Sequence, residues 1–509
     1  MRKAVIDIGT NSVKLAIGEL ENEEVSILEF LKNIVALGKS SFGRGSISRE
    51  VIDQTVSVLE KYRHKLKEYD VEDVRVIATT AIREAFNRDI FIDIVRRRTG
   101  WNVEILDVGD VIYFIESCVS HKLKQRSFPL YRETLLIAEL GSGSLDISGL
   151  DRGLTLFNMG LPIGVQRLTQ LMGDMSGSIR EIHEAITDFI ENEFGYLQKS
   201  IRRLDIDDVM LIDENYVRYL PAIVKTRGTR ENYFRITNTE VQKMIAGLEG
   251  KSADEIAERY SVPRDIAETI PAYAIVLANF CRIIRKRHIH ILDISLCEAV
   301  LANMLLNIKR MEKYGVAEHL EAEARYLCER YDMDTRHACH VADLCRSLFK
   351  GLKSHLGLEE QDRVYLTLAA YLHDIGMFIY NRAHHKHTEY ILRYLNVVRL
   401  NEEEKKFIAC IARYHRKAVP RNSHAVYAAL PYDKRIRVQK LSAILRIANA
   451  LDCSHKQKVK KISIRQTRDF NFTLTVSTKQ NFLLEKTDFL GKKKLFEDIT
   501  GSTLNLVER

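Results

Sequence analysis

Two short segments of the chain carry the same chemistry-bearing pattern. Val5-Ile6-Asp7-Ile8-Gly9-Thr10-Asn11-Ser12-Val13-Lys14-Leu15 is answered by Ile137-Ala138-Glu139-Leu140-Gly141-Ser142-Gly143-Ser144-Leu145-Asp146-Ile147. In each, an apolar run holds one acid, Gly and small polar residues follow, and a second alternating run closes the pattern, which predicts strand, tight turn and strand. Such a turn suits an anion. Gly9, Gly141 and Gly143 let backbone N–H groups approach a phosphate, and Thr10, Asn11, Ser12, Ser142 and Ser144 add polar side chains. Asp7 and Glu139 have the chemistry to hold a divalent cation or its waters. Turn formation needs the Gly but not the acid two residues before it, so the repetition argues for function. Two loops of this kind facing each other would grip a polyphosphate chain or a nucleotide between two related domains.

Three further stretches narrow the reading: Ala78-Thr79-Thr80-Ala81-Ile82-Arg83-Glu84-Ala85-Phe86-Asn87, Gly160-Leu161-Pro162-Ile163-Gly164-Val165-Gln166-Arg167-Leu168, and a C-terminal half holding ten of the sixteen histidines, from His337 onward. With the two loops, they resemble the exopolyphosphatase and guanosine pentaphosphate phosphohydrolase (Ppx/GppA) family. The resemblance covers nearly the whole chain. It implies an α/β actin-like (ribonuclease H-like, ASKHA) pair of duplicated domains, followed by an all-α HD-type domain and a small α/β C-terminal unit. The corresponding segments are 1–124, 125–310, 311–458 and 459–509. The implied activity is phosphoanhydride hydrolysis on inorganic polyphosphate or guanosine penta- and tetraphosphate. Mg²⁺ would sit near Asp7 and Glu139, the loops Gly9 to Ser12 and Gly141 to Ser144 would cradle phosphate, and Arg83 would be a cationic phosphate contact. A homodimer is expected.

In the C-terminal half, His337, the pair His373-Asp374, His387, His415 and Asp452 resemble the ligand order of HD-type metal phosphohydrolases, with His340, His384 and His385 as nearby alternatives. Imidazole and carboxylate together suit Mn²⁺, Fe or Mg²⁺, and a carboxylate can bridge two ions. Tyr371-Leu372-His373-Asp374-Ile375-Gly376 puts His-Asp after an apolar run and before a Gly, an internal position.

The chain departs from the family where the mechanism is most demanding. The family's first domain supplies a catalytic Glu in a Ser-Gly-x-Glu-Glu-Ala-like segment. Val108-Gly109-Asp110-Val111-Ile112-Tyr113 stands there, with Ile112 at the base position and Asp110 or Glu116 as candidate substitutes. Glu139 and Asp146 exchange the family's usual Asp and Glu. Ile212-Asp213-Glu214-Asn215-Tyr216 replaces a Gly-Gly-Thr phosphate contact and adds negative charge. Leu296-Cys297-Glu298-Ala299 lacks an Arg. Three readings follow: a hydrolase with a degenerate N-terminal base, a non-catalytic polyphosphate or alarmone sensor, and an HD-type phosphohydrolase with the N-terminal cleft as a regulatory site. A sugar-type kinase on the same fold is disfavoured by the histidine-rich half.

The elements that must position these residues are legible in outline. Helices are expected around Arg49–Tyr69, from about Thr80, and over Ile179–Ile201, Glu240–Leu248 and Ile270–Lys286, with strands at Val74–Ile77 and Val103–Ile105. From about residue 315 the pattern is helical, with amphipathic periods in Ala317–Tyr331, His337–Lys350 and Arg363–His373. Strands return at Ile462–Ile464 and Phe472–Val476.

Composition bounds the rest. With 509 residues, 46% of them hydrophobic and 29% charged, the chain reads as a soluble protein of several domains. No signal region or membrane span is apparent, so a cytoplasmic location without a membrane partner is expected. Eight cysteines without Cys-x-x-Cys spacing argue for reduced thiols. The net charge of +8 is concentrated after Lys456, where 12 Lys and Arg face 6 Asp and Glu, a tail suited to a polyanion. Without a nucleic-acid motif, nucleic acid is not an expected partner.

Overall fold

Both repeats fold as hairpins in the computed structural model, which describes residues 2–125, 130–224, 233–306 and 313–509. The chain divides into two units, Met1–Gly315 and Val316–Arg509.

The first unit holds two sheets. In one, β1 (Lys3–Ile8) pairs antiparallel with β2 (Ser12–Glu21), and β2 with β3 (Glu24–Ile34). On its other side β1 runs parallel to β4 (Asp73–Ala78), and β4 to β5 (Val103–Ile105). The other sheet is built on β6 (Thr134–Leu140), flanked by β7 (Leu145–Asp151) and then β8 (Leu154–Leu161) on one side. On the opposite side lie β9 (Asp208–Ile212), β10 (Tyr233–Thr237) and β11 (His288–Leu292), with β10 outermost. The orders β3-β2-β1-β4-β5 and β8-β7-β6-β9-β11-β10 match through five strands, in direction as well as position. The repeat read from two motifs is therefore a repeat of topology. The central strands β1 and β6 are apolar almost throughout because both faces are covered. Each hairpin closes with the same bond, Gly9 N–H to Ser12 O and Gly141 N–H to Ser144 O, both 3.0 Å.

The helix Ile179–Ile201 has its expected bounds, opened by a Ser178/Glu181 capping box. Arg264–Ile284 begins six residues before its expected start, since Pro271 lies inside the helix and does not begin it. Its most apolar 18-residue stretch has a mean hydropathy of 1.3, and it is the single helix among the described residues long and apolar enough to cross a membrane; most of that stretch is buried. Val108–Gln125 is helical from its first residue, so the segment compared with the family's base is the opening of a helix.

The second unit is helical from Val316–Arg330 through Thr335–Leu356, Glu360–Leu372, His384–Tyr394, Glu402–Arg413 and Tyr432–Ala450. A sheet of β12 (Lys461–Gln466), β13 (Phe472–Ser477) and β14 (Leu504–Glu508) follows, with helices Leu483–Lys492 and Lys494–Thr500 inserted before its last strand. Leu348, Leu352, Ile444, Leu474, Phe489 and Leu504 belong to one apolar interior, so the terminal sheet and the helical bundle share a core. All eight cysteines are free thiols, six of them buried.

Candidate functional site

The two glycine loops of the first unit face each other across a cleft. A Cβ on Gly143 would lie 2.6 Å from Thr10 Oγ1, and the Thr80 and Ser144 hydroxyls are 3.0 Å apart. Gly164 closes the second loop from outside, since a Cβ there would lie 2.2 Å from the Gly143 backbone. That closeness lets Val165 and Gln166 donate backbone N–H to the Gly141 and Ser142 carbonyls at 3.1 and 2.9 Å. Gly9, Thr10, Asn11, Ser12, Gly141, Ser142, Gly143 and Ser144 all line the cleft, together with Asp7 and Glu139.

Four of the other expected residues lie elsewhere. Arg83 does not line the cleft: its guanidinium is tied to Leu106 O at 2.7 Å and Thr80 Oγ1 at 3.2 Å, behind the loop wall. The residue of helix Val108–Gln125 that reaches the cleft is Val111, and Ile112, one position on, turns about 100° away into buried surroundings. Asp110 is spent on the helix start, its carboxylate accepting the Asp107 N–H at 3.0 Å while its own N–H donates to Asp107. Glu116 is buried and accepts a hydrogen bond from Thr155 at 2.8 Å, also away from the cleft. Neither acid lines the cleft.

Instead the cleft holds Asp7, Glu139, Asp146 and Glu214 around Lys14. Lys14 is paired with Asp7 at 3.4 Å and, more closely, with Glu214; Lys32 donates to Asn215 at 2.8 Å. Burial opposes the Lys14 charge, but Glu214 and Asp7 outweigh it and hold the amine protonated. Burial and then the Asp146 charge raise Glu139 well above the usual carboxylate range, burial pushes Asp146 up to about 6, and burial raises Asp7 against the pull of Lys14. The free space is about 80 Å³. Four carboxyl groups and a committed lysine thus border this space.

In the second unit, helix ends converge on Asp374. His337 comes from the first turn of Thr335–Leu356, His373 from the end of Glu360–Leu372, His384 from the start of His384–Tyr394, and His415 from just beyond Glu402–Arg413. Asp374 lies 3.5 Å from His373 Nε2, 3.2 Å from His384 Nε2 and 3.4 Å from His415 Nε2. The expected ligand His387 is not in this group; His384 is, because the start of its helix abuts the cluster and His387 sits almost one turn further along. Asp452 contacts His337 Nδ1 at 2.9 Å and is itself held by the Gln457 N–H at 2.7 Å, so it orients an imidazole from outside the cluster. His455, which sequence reasoning missed, stacks on His337 with ring centroids 3.7 Å apart and groups with His337 and Asp374.

The hydrogen bonds set the tautomers of the cluster. His373 and His415 each donate Nδ1–H to a carbonyl, Ala370 O and Ala412 O, at 2.7 Å, and His384 does so to Asn381 O at 3.0 Å. A neutral imidazole that donates from Nδ1 carries a lone pair on Nε2. Burial lowers His373 to about 3 and lowers His415, so both rings are neutral at physiological pH. Yet His384 Nε2 faces His415 Nε2 at 3.0 Å, and His337 Nε2 faces His373 Nε2 at 3.3 Å. Acceptors aimed at acceptors beside a carboxylate fit a bound divalent cation. Beside the cluster a cavity of about 510 Å³ is lined by Arg416, Lys417, Arg446 and Lys492.

Comparison with known proteins gives the same partition. A model of the Ppx/GppA phosphatase family matches residues 16–308, and a model of Ppx/GppA phosphatase domain III matches residues 321–496. Guanosine-5'-triphosphate,3'-diphosphate pyrophosphatase of Aliivibrio fischeri (strain MJ11) is 22% identical over 478 residues, covering 91% of this chain and 92% of the relative. Among solved structures, an exopolyphosphatase from Cytophaga hutchinsonii ATCC 33406 aligns with a TM-score of 0.54 at 20% identity, over 60% of this chain and 99% of its own. The Aquifex aeolicus member of the Ppx/GppA family aligns with a TM-score of 0.50 at 23% identity, over 60% and 97%. At such identities the structural likeness is one of fold.

Proposed function

The chain belongs to the Ppx/GppA phosphatase family, and from that premise we propose that it is a phosphohydrolase whose hydrolytic centre is the imidazole–carboxylate cluster of its second unit. The helices bearing that cluster are read as an HD-type metal phosphohydrolase domain, and the N-terminal cleft as a cation-dependent phosphate-binding site whose position matching the family's base is apolar. The observation that carries this reading is the convergence of imidazole Nε2 lone pairs on Asp374, with the Nδ1 protons of His373, His384 and His415 already donated to carbonyls. Divalent metal held there would polarise a phosphoryl group and activate water. The chain's own residues hold the imidazoles in one tautomer and supply Arg416, Lys417 and Lys492 to an anionic substrate.

Polyphosphate and guanosine penta- or tetraphosphate are the proposed substrates, in line with the activities for which the relatives are named. The cleft is assigned binding because the helix position that reaches it is Val111, which cannot take a proton. Phosphate release from each substrate, with Mg²⁺ and with Mn²⁺, tests the assignment. Asp374→Asn is expected to lose at least about 10²-fold in rate while Asp7→Asn keeps most of it. The reverse pattern would move the hydrolytic centre to the cleft.

A further inference from the structure

At the end of the second sheet remote from the cleft, three residues from two strands meet. Asp208 opens β9, and His288 and His290 alternate on the neighbouring strand β11, so that all three project from one face. His290 Nε2 lies 2.9 Å from Asp208 Oδ2, and the two imidazole rings stand edge to face with centroids 5.0 Å apart. One ligand atom from each residue falls within 4.8 Å of the other two. Glu133, whose carboxyl is raised by burial and then by the charges of Asp208 and Asp207, adds a further carboxylate to the same field.

From this geometry we infer a second, separate divalent-metal site, formed by Asp208, His288 and His290 and suited to Zn²⁺. Two imidazoles and a carboxylate are a common three-residue zinc set, with water completing the tetrahedron. The residues around it supply the outer contacts such a site needs. The Tyr233 hydroxyl contacts His290 Nδ1, and a phenol both donates and accepts. In the metal-free state it can donate to Nδ1 while Nε2–H donates to Asp208; with metal on Nε2 it accepts Nδ1–H. Only the tautomer of His290 changes: the ring gives up its Nε2 proton and takes one at Nδ1 through solvent, with no net release. Arg235, on the outermost strand, donates to His288 Nδ1 at 2.8 Å and is exposed. It competes with the metal for that ring and must swing into solvent as the ion enters. β9 separates this site from the cleft, since five strand residues span roughly 15 Å before Asp213 and Glu214 are reached.

The test uses the full chain stripped of metal and dialysed against buffered free Zn²⁺, with bound zinc counted by mass spectrometry and Co²⁺ substituted as an absorbance probe. His288→Gln and Asp208→Asn are each expected to weaken one zinc equivalent by at least about tenfold and to remove a set of tetrahedral Co²⁺ bands, while other bound metal stays constant. Arg235→Gln is expected to tighten the same equivalent severalfold, because a competing donor and a positive charge are gone. Circular dichroism reports folding; if Asp208→Asn unfolds, His288→Gln decides, its ring being only partly buried. Equal zinc in the parent chain and His288→Gln overturns the site, and so does weaker binding in Arg235→Gln, which would mean that the three residues are only a structural hydrogen-bond cluster.

Discussion

Lys14 stands opposite Asp7 because the turn between β1 and β2 leaves one register, in which Asp7 pairs with Lys14 and Ile8 with Val13. That pairing could have been drawn from the sequence once the hairpin was recognised. The partner that decides its chemistry could not, because Glu214 arrives from 200 residues away on the loop after β9. Glu214 puts a carboxylate where a phosphate would otherwise meet the lysine, so Glu214→Gln is expected to tighten polyphosphate binding to the cleft by at least about tenfold. Equilibrium binding in the Asp374→Asn background measures it; unchanged affinity would mean that Lys14 does not meet the ligand. The base position is a second matter of one residue. Family comparison points to Ile112, whereas helical geometry turns Val111 into the cleft. Val111→Glu is therefore expected to add cation-dependent hydrolysis, on the order of 10²-fold, in the Asp374→Asn background. Ile112→Glu buries a charge among apolar groups, and denaturant unfolding should show it to be destabilised by several kcal/mol.

The loop that carries Glu214 is built by its neighbour. Asp213, fully buried, accepts the N–H groups of Asn215 and Tyr216 at 2.8 and 3.0 Å, and Tyr216 in turn donates to Thr269 at 2.8 Å. Burial pushes the Asp213 carboxyl up to about 6 from its ordinary 3.8. A raised carboxyl gives stability that is complete below the unfolded value and is lost as pH rises through the folded one. Between pH 4 and 7 the first unit should lose about 3 kcal/mol from this group alone. Asp213→Asn keeps the acceptor oxygen and removes the charge, so the difference in unfolding free energy between parent and variant should grow with pH over that window. A constant difference would place the carboxyl in its ordinary range. Elements of this kind divide cleanly by what sequence can reveal. The hairpins, Ile179–Ile201 and the amphipathic helices of the second unit were legible because periodicity and caps are local signals. The choice of His384 over His387 was not, because ligands three apart on one helix are separated by tertiary approach, here that of His415 at 3.0 Å.

At the scale of the whole chain, the basic terminus illustrates how charge read along a sequence is redistributed by folding. Lys492, Lys493 and Lys494 form one cationic run, yet they straddle two helices and meet Asp488, Glu497 and Asp498 at 2.7, 2.8 and 2.9 Å. Lys493 also donates to Leu504 O at 3.1 Å and so ties a helix to β14. Lys494 is exposed, and its single ion pair is of the surface kind that contributes little. Lys492 alone lines the cavity beside the imidazole cluster, where Arg416, Lys417 and Arg446 supply the other cations. The run of three lysines therefore reaches a pocket only through Lys492. Lys492→Gln is expected to raise KM for an anionic substrate severalfold and to reduce the slope of log KM against log salt by about 1, the loss of one phosphate contact. Lys494→Gln should leave both within error, and the triple substitution should match Lys492→Gln in salt slope. Steady-state kinetics from 50 to 300 mM salt distinguish the cases; equal shifts from Lys492→Gln and Lys494→Gln would return the run to a general electrostatic role.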